Sequence, residues 1–409
     1  MTSGTGFGTG IDIDDTPAAR EALRALVLTR RVIVCVGSGG VGKTTTAATL
    51  GLAAAAAGRS TLVITIDPAR RLANALGLEH LAHHPQAVEP ALVQAAAAAL
   101  PKLSDDDVKA PAPLFAMMLD LKAGWDDMLA RTAPDASTAT KILENRFYKT
   151  LSTELPGAHE FIACEHLQHL ADSGRFELVV LDTPPTQNAL DFLDAPGRIL
   201  GVLDNDAFRF VADRAAGHAP SSFGARFLES ATGTAQAVIA KFTGGEMLDE
   251  LAEFLGLLKD LYEPLTSRTR AFVSLLSSPA TAFVVVTAPQ SAVLAEAAFF
   301  ASELVRRQLP LSAAVVNRLT PKPTVALAQL DKLDDALAGV DDGVLLAAAL
   351  DQAVNDEARA AQVEHEVLAD LAARLGGAPT VRLPRLSDAV HDARRLVELV
   401  PWLVGRPAA

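Results

Sequence analysis

Residues 31–66 read RVIVCVGSGGVGKTTTAATLGLAAAAAGRSTLVITI, and the order of apolar and glycine-rich pieces in this stretch decides the fold. The first six residues are nearly all apolar and mostly β-branched, which predicts a strand buried on both faces of a parallel sheet. A helical pattern follows over Lys43–Ala57 and ends at Gly58, and Thr61–Ile66 is a second apolar run. This order predicts a βαβ unit with a right-handed crossover.

Further apolar runs predict more strands of the same sheet. They are Leu114–Leu119, Glu177–Leu181, Thr281–Thr287, Ala313–Val316 and Thr380–Leu383. Helical patterns separate these runs, so we expect an α/β fold with a doubly wound, mostly parallel sheet. We assign this core to residues 28–121, 174–196 and 278–405, after a flexible N-terminal tail of residues 1–27.

Two stretches lack the strand alternation and predict an inserted α-helical subdomain, residues 122–173 and 197–277. The second carries an apolar stripe at helical spacing. Its members are Leu248, Leu251, Phe254, Leu255, Leu257, Leu258, Leu261, Tyr262 and Leu265. Two interpretations stay open: a helix buried inside the subdomain, or an exposed groove for a hydrophobic client.

Composition excludes several classes of function. The 409 residues carry 36 Lys+Arg against 49 Asp+Glu, a net charge of -13, which disfavours nucleic-acid and anionic-lipid partners. No run approaches the ~20 apolar residues of a membrane-spanning helix, and no signal peptide is recognisable at the N-terminus. Cys35 and Cys164 stand far apart, which predicts neither a disulfide framework nor a thiolate metal site and favours a cytoplasmic protein.

The glycine-rich piece, Gly37–Thr44, matches the phosphate-binding pattern GxxxxGK[ST] between a strand and a helix. Glycines allow successive N–H groups to point at phosphate oxygens, and the helix start adds its positive dipole end. Lys43 would neutralise the β and γ phosphates, and the Thr44 hydroxyl would complete a magnesium shell. The residues that we expect at the nucleotide are Gly39, Gly40, Val41, Gly42, Lys43, Thr44 and Thr45.

Two aspartates follow predicted strands and supply the remaining chemistry. Asp182 ends an apolar strand, as a magnesium-holding carboxylate does beside such a loop, and Thr183–Gln187 has the composition of a switch loop. Asp67 follows the second strand and is our candidate for orienting or deprotonating the attacking water, with a turn-initiating role as the alternative. The catalytic prediction is therefore Asp67 with Lys43, and the metal prediction is Thr44 with Asp182.

Five segments together resemble the arsenite-pump and guided-entry (tail-anchored protein targeting) ATPases. These families belong to the deviant Walker A group of P-loop NTPases, which also contains the MinD-like ATPases. The resemblance covers residues 30–400 and rests on Gly37–Thr45, Asp67–Ala69, Leu155–Gly157, Asp182–Thr186 and Val315–Asn317. It implies ATP hydrolysis with Mg²⁺ and a nucleotide-controlled dimer.

The resemblance also implies roles for individual residues. Asp67 occupies the switch I position that activates water, and Asp182 begins switch II. Asn317 matches the asparagine that reads adenine, so ATP is favoured over GTP, and Pro384 falls in the adenine-side loop. An amide can donate to and accept from adenine, which makes the role of Asn317 chemically sensible.

The chain departs from the family at the signature lysine, which reaches the partner's nucleotide and would stand at Ser38. Serine cannot supply that charge, and this chain resembles the actinobacterial paralogue that has a small residue there. We therefore expect either a homodimer that hydrolyses slowly or depends on another cation such as Arg70, or a heterodimer with a lysine-bearing paralogue. Two cysteines and only five methionines also disfavour arsenite binding, a shared zinc and a methionine-rich client groove.

Three functions stay open on the sequence alone. The first is a targeting ATPase that binds hydrophobic protein segments. The second is a regulatory or energising subunit for a paralogue or membrane partner, and the third is an ATP-binding scaffold with weak hydrolysis.

Overall fold

The computed structural model describes residues 17–67, 69–100, 109–149, 158–184, 186–203, 245–322, 337, 340, 342–386 and 393–405. The chain divides into two compact units. The sheet unit comprises Met1–Met118, Gly174–Thr186 and Ser277–Ala409, and the helical unit comprises Leu119–Ser173 and Gln187–Leu276. The helical unit thus takes residues 187–196, which the sequence assigns to the core.

The helices and strands of the described residues have the following bounds. The strands are β1 Val32–Val36, β2 Thr61–Thr65, β3 Gln86–Ala87, β4 Leu114–Met118, β5 Leu178–Asp182, β6 Thr281–Thr287, β7 Leu311–Leu319 and β8 Thr380–Pro384. The helices are α1 Pro17–Thr29, α2 Lys43–Ala56, α3 Arg71–Leu76, α4 Pro90–Ala99, α5 Leu121–Thr132, α6 Ala136–Glu144, α7 Ala158–Asp172, α8 Thr186–Leu203, α9 Gly245–Ser277, α10 Ser291–Arg306, α11 Gly343–Leu368, α12 Leu371–Arg374 and α13 Ala393–Val404.

One eight-stranded sheet organises the sheet unit, in the order β3-β4-β2-β5-β1-β6-β7-β8. Neighbouring strands are parallel except at the β3–β4 edge, where the pairing is antiparallel. Every residue of β1, β2, β5 and β6 is buried, as the apolar runs predict. The prediction of a doubly wound α/β fold is confirmed. The two-residue edge strand β3 is too short to leave a sequence pattern.

Helix α2 lies in the core and aims its N-terminus at the carboxyl end of the sheet. It packs on β2 and β5 and is covered by α4 and α13. Its small residues allow this close packing: a Cβ on Gly51 would lie 2.3 Å from Val63 Cγ2 of β2. The alanine-rich composition of α2 therefore brings the loop that precedes it close to the strand ends.

The N-terminal tail prediction is wrong for residues 17–27, because these residues form most of α1. Leu23, Leu26 and Val27 recur at helical spacing and are buried. The Arg20 guanidinium stacks on the ring of Trp402 in α13, 5.7 Å from its centroid. Burial of this apolar face holds α1 on the sheet unit. Residues 1–16 lie outside the described residues.

The helical unit contains the predicted apolar stripe, on α9. Phe254 and Leu261 are buried, and Phe254 stacks on Phe147 with 6.3 Å between the ring centroids. These two positions therefore belong to the core of the helical unit. The side chains of Leu248, Leu251, Leu255 and Leu258 lie outside the described part of the chain, so the client-groove interpretation stays a prediction.

A buried carboxylate ties three helices of the helical unit together. Glu165 of α7 accepts hydrogen bonds from Arg131 of α5 at 2.8 Å and from Arg268 of α9 at 2.6 Å. A buried charge of this kind needs both partners, because either one alone leaves carboxylate oxygen unsatisfied. Among the described residues, none of the helices is long and apolar enough to cross a membrane.

Candidate nucleotide site

The loop between β1 and α2 adopts a backbone that only glycine takes easily. Gly42, directly before α2, has φ 98, and Gly37 has φ 154. A Cβ on Gly37 would lie 2.0 Å from the carbonyl oxygen of Val286 in β6, so a larger residue would push the loop off the sheet. This conformation supports the assignment of residues 37–44 as a phosphate-binding loop.

A cavity of about 670 Å³ opens above the loop at the carboxyl ends of the strands, where ligands bind open α/β sheets. Its volume is typical of a site for a small organic ligand. The sequence-predicted residues that line it are Gly39, Gly40, Gly42, Lys43, Thr44, Thr45, Asp67, Asn317 and Pro384. Val41 and Asp182 are buried behind this lining. The structure therefore brings together residues that are far apart in sequence.

Lys43 is the buried cation of the cavity. Its Nζ donates a hydrogen bond of 2.8 Å to the Ser38 carbonyl oxygen, which curls the loop around the ammonium group. Burial lowers the pKa of Lys43, while the Asp182 and Asp67 carboxylates oppose that shift. An anionic ligand would replace the solvation that the ammonium loses on burial.

Asp182, at the end of β5, carries a buried carboxylate with one oxygen satisfied and one free. Oδ2 accepts hydrogen bonds from the hydroxyls of Thr44 at 2.7 Å and Thr65 at 3.1 Å. Among the described residues, Oδ1 has no hydrogen-bond partner. Desolvation raises the pKa of Asp182 to about 6, although the two hydroxyls and Lys43 oppose the shift.

These residues fit a magnesium ion. Mg²⁺ takes oxygen ligands, usually one or two from protein carboxylate or hydroxyl groups and the others from water and phosphate. The unsatisfied Oδ1 of Asp182 is an oxygen ligand that burial makes costly to leave unpaired. The Thr44 hydroxyl already contacts the same carboxylate.

Asp67 follows β2 and faces the same cavity, with its side chain 28% exposed. Its Oδ1 accepts from the Ala69 N–H at 3.0 Å, and its Oδ2 lies 3.9 Å from Nη1 of Arg71. Its own N–H donates to the Thr65 hydroxyl at 3.2 Å. Thr65 therefore links the two aspartates, because the same hydroxyl donates to Asp182.

Asn317 of β7 and Pro384, the last residue of β8, also line the cavity. Asn317 Nδ2 donates to the Val41 carbonyl oxygen at 2.8 Å, and its Oδ1 accepts from the Arg318 N–H at 2.9 Å. The side chain of Asn317 thus contacts the phosphate-binding loop itself, which the sequence does not predict.

Sequence reasoning missed several residues of the cavity. Among them are Arg71, Asn74, Arg318 and Arg385. The sequence also did not single out Thr65, which donates to Asp182 but does not line the cavity. Thr65 could have been found from the sequence, because it is a hydroxyl residue near the carboxyl end of an apolar strand. Arg318 and Arg385 each directly follow a predicted site residue, but nothing in their sequence context indicates that they line a cavity.

Ser38, the position of the family's signature lysine, does not line the cavity. Ser38 is buried and its hydroxyl donates to a carboxylate oxygen of Glu296 on α10. Both cysteines are free and buried, and burial raises the pKa of each thiol. The Leu155–Gly157 motif lies outside the described residues.

The substitution Asp182→Asn tests, in the absence of magnesium and nucleotide, whether burial of the ionised carboxylate destabilises the folded protein. A carboxyl group whose pKa is about 6 in the folded protein and ~4 in the unfolded chain is destabilising in its ionised form. That penalty is absent below pH ~4, grows as the pH rises to 6, and is complete above it.

Between pH 4.5 and 7.5 the wild type should therefore lose about 2 kcal/mol of stability relative to Asp182→Asn, as measured by urea unfolding. Parallel pH profiles of the two proteins would contradict the raised pKa. The exposed Asp356→Asn substitution on α11 is the matched control and should leave the profile unchanged.

Relatives of this chain are known from several eukaryotes. ATPase ARSA1 of Chlamydomonas reinhardtii is 26% identical over 326 residues, which is 76% of this chain and 38% of that protein. ATPase get3 of Aspergillus terreus is 26% identical over 310 residues, or 75% of this chain and 79% of that protein. The chain thus matches well under half of the algal protein and most of the fungal one.

A family profile agrees with these pairwise similarities. The profile described as "Anion-transporting ATPase" matches residues 30–332, which include β1 through β7, the phosphate-binding loop, both aspartates and Asn317. The chain belongs to the anion-transporting ATPase family of P-loop ATPases.

Proposed function

We propose that this chain is a magnesium-dependent ATPase in which ATP hydrolysis switches a dimer between two states. The observation that carries the proposal is the convergence of Lys43, Thr44 and Asp67 on one cavity at the phosphate-binding loop, with Asp182 buried beside them and bonded to Thr44. Three of these side chains come from different segments of the chain, so their meeting is a tertiary arrangement and not a property of the motif alone.

The proposed chemistry assigns one task to each group. The loop N–H groups, the start of α2 and Lys43 bind the phosphates, and Thr44 with Asp182 would hold Mg²⁺. When bound, the ion would neutralise charge that develops on the phosphoryl oxygens. Asp67, held by the Ala69 N–H, orients the attacking water or accepts its proton.

The lining of the cavity supports ATP as the nucleotide. It includes Asn317 and Pro384, and Leu399 and Leu403 of α13 add apolar side chains. An amide beside an apolar surface suits an aromatic base with donor and acceptor edges. Asn317 and Pro384 are accordingly proposed as adenine-side residues.

The proposed switch starts at the shared hydroxyl of Thr65. This hydroxyl accepts from the Asp67 N–H and donates to the Asp182 carboxylate, so a change at that carboxylate reaches the backbone of Asp67. Asp67 leads directly into α3, and Asp182 leads into the 183–187 segment and α8. Gain or loss of the γ-phosphate could thus shift the population of two conformations, provided that one binds the triphosphate more tightly.

The proposed partner supplies a cation that this chain lacks. Serine replaces the lysine at position 38, and its hydroxyl is held by Glu296, so this position carries no positive charge. A transition-state cation is typically worth ~10³–10⁵ in rate. We therefore propose a heterodimer with a lysine-bearing paralogue, with a homodimer as the alternative.

A regulatory or energising subunit is the second candidate function, and the Ser38–Glu296 contact favours it. A chain that binds ATP but lacks the cation that reaches the partner's nucleotide can report its own nucleotide state to a partner without accelerating hydrolysis at the partner's site. The targeting function, which would bind hydrophobic protein segments in the cytoplasm, is proposed on the apolar α9 stripe alone.

The substitution Asp67→Asn tests the proposed hydrolysis. The amide keeps the shape of the side chain but cannot accept a proton, so single-turnover ATP hydrolysis should fall by ~10²–10⁴. Binding of ATP, measured by calorimetry, should change much less. Asp356→Asn on α11 is the matched control, and an Asp67→Asn variant that hydrolyses ATP at the wild-type rate would contradict the assignment.

The purified chain alone tests the proposed partner. We expect its steady-state ATPase rate to rise by at least ~10³ on addition of a paralogue with lysine at the position of Ser38. The same paralogue with alanine in place of that lysine is the control and should give no increase. A chain that is fully active by itself would contradict the heterodimer.

A further inference from the structure

The side chain of Asn317 packs directly against the phosphate-binding loop. Its Nδ2 lies 2.8 Å from the Val41 carbonyl oxygen, and a Cβ on Gly42 would lie 2.2 Å from the same nitrogen. Val41 is buried, with 3% of its surface exposed. The absence of a side chain at Gly42 therefore leaves the space that the Asn317 amide fills.

The orientation of this amide is fixed from its other side. The Arg318 N–H donates a hydrogen bond of 2.9 Å to Asn317 Oδ1. This bond places the amide oxygen on the side of Arg318 and therefore turns the NH₂ group toward Val41. Arg318 has φ 65, a left-handed conformation that is uncommon outside glycine. Such backbone conformations persist where the surrounding structure needs them, often at functional sites.

The contact acts at the point where the loop becomes α2. Val41 and Gly42 directly precede Lys43, and the Gly42 carbonyl accepts the N–H of Thr46 at 2.9 Å in the first turn. Lys43 and Thr44, the next two residues, carry the side chains proposed for the phosphates and the metal. A bond that fixes the Val41 carbonyl thus restrains the backbone from which both side chains extend.

We propose that Asn317 is a positioning residue for the phosphate-binding loop, which it holds through the hydrogen bond from Nδ2 to the Val41 carbonyl. Asn317 then sets the affinity for the phosphate chain, and not only the choice of base. The proposal rests on the proposed function, because it assumes that phosphates bind in the loop. The same amide would then contact the base of the nucleotide and fix the loop that binds its phosphates.

A ligand without a base separates the two roles. We would measure binding of magnesium tripolyphosphate and of magnesium ATP by calorimetry to the full chain and to Asn317→Ala and Asn317→Leu. Leucine is close to asparagine in size but makes no hydrogen bond, so it distinguishes loss of the bond from loss of volume. Loss of the hydrogen bond to Val41 should weaken tripolyphosphate binding roughly 3–10-fold in both variants. ATP binding should weaken by at least that factor, because ATP also loses the proposed contact of Asn317 with the base.

Asn355→Ala on α11 is the matched control, since the Asn355 amide bonds to Asp351 on its own helix and does not line the cavity. It should leave both affinities unchanged. The melting temperature of each variant without ligand should stay within a few degrees of wild type, so that a loss of affinity is read on folded protein.

Three results would overturn the proposal. Weaker ATP binding with unchanged tripolyphosphate binding would mean that Asn317 acts on the base alone. Unchanged binding of both ligands would mean that the hydrogen bond does not matter. A wild-type chain that binds ATP but not tripolyphosphate would also contradict it, whereas a wild type that binds neither would instead contradict the proposed function.

Discussion

The arrangement of the site depends on one buried charge, the Asp182 carboxylate at the end of a central strand. Burial of this group is costly, and the two hydroxyl donors and the nearby ammonium of Lys43 offset that cost only in part. The pKa of Asp182, which is raised to about 6, reflects this balance. Desolvation therefore has a larger effect on the pKa of Asp182 than the local attractions have. A carboxylate held in this state favours a cation that can reach its free oxygen, which supports the proposed magnesium ion.

The sheet explains why these groups meet. Strands β2, β5 and β1 are neighbours and parallel, so Thr65, Asp182 and the loop after β1 all lie at the same edge. Gly51 lets α2 approach β2, and the buried alanine-rich face of α2 keeps the N-terminus of this helix at that edge. Parallel pairing thus brings the residues together, and the burial of Asp182 sets their chemistry.

A feature of the site was predictable from the sequence when its residues form one motif or follow a recognisable strand. The loop, Lys43 and Thr44 form one motif, and Asp67 and Asp182 follow recognisable strands, so all of them were expected at one edge of the sheet. The Thr65 bridge, the Asn317–Val41 bond and the Ser38–Glu296 contact join segments that are distant in sequence, and no spacing encodes them. Helix α1 was mistaken for part of the tail because residues rich in glycine, threonine and aspartate precede it, although Leu23, Leu26 and Val27 recur at helical spacing.

The most direct measurement of the central claim is a carbon-13 NMR titration of the Asp182 carboxyl carbon, without ligand and with magnesium ADP. The carboxyl should titrate near pH 6 in the free protein, as its burial requires. Magnesium ADP should lower that pKa below the usual range of aspartate, because a bound cation stabilises the ionised form. A carboxyl that titrates normally in the free protein, or whose pKa does not respond to magnesium ADP, would contradict Asp182 as the buried charge on which the site depends.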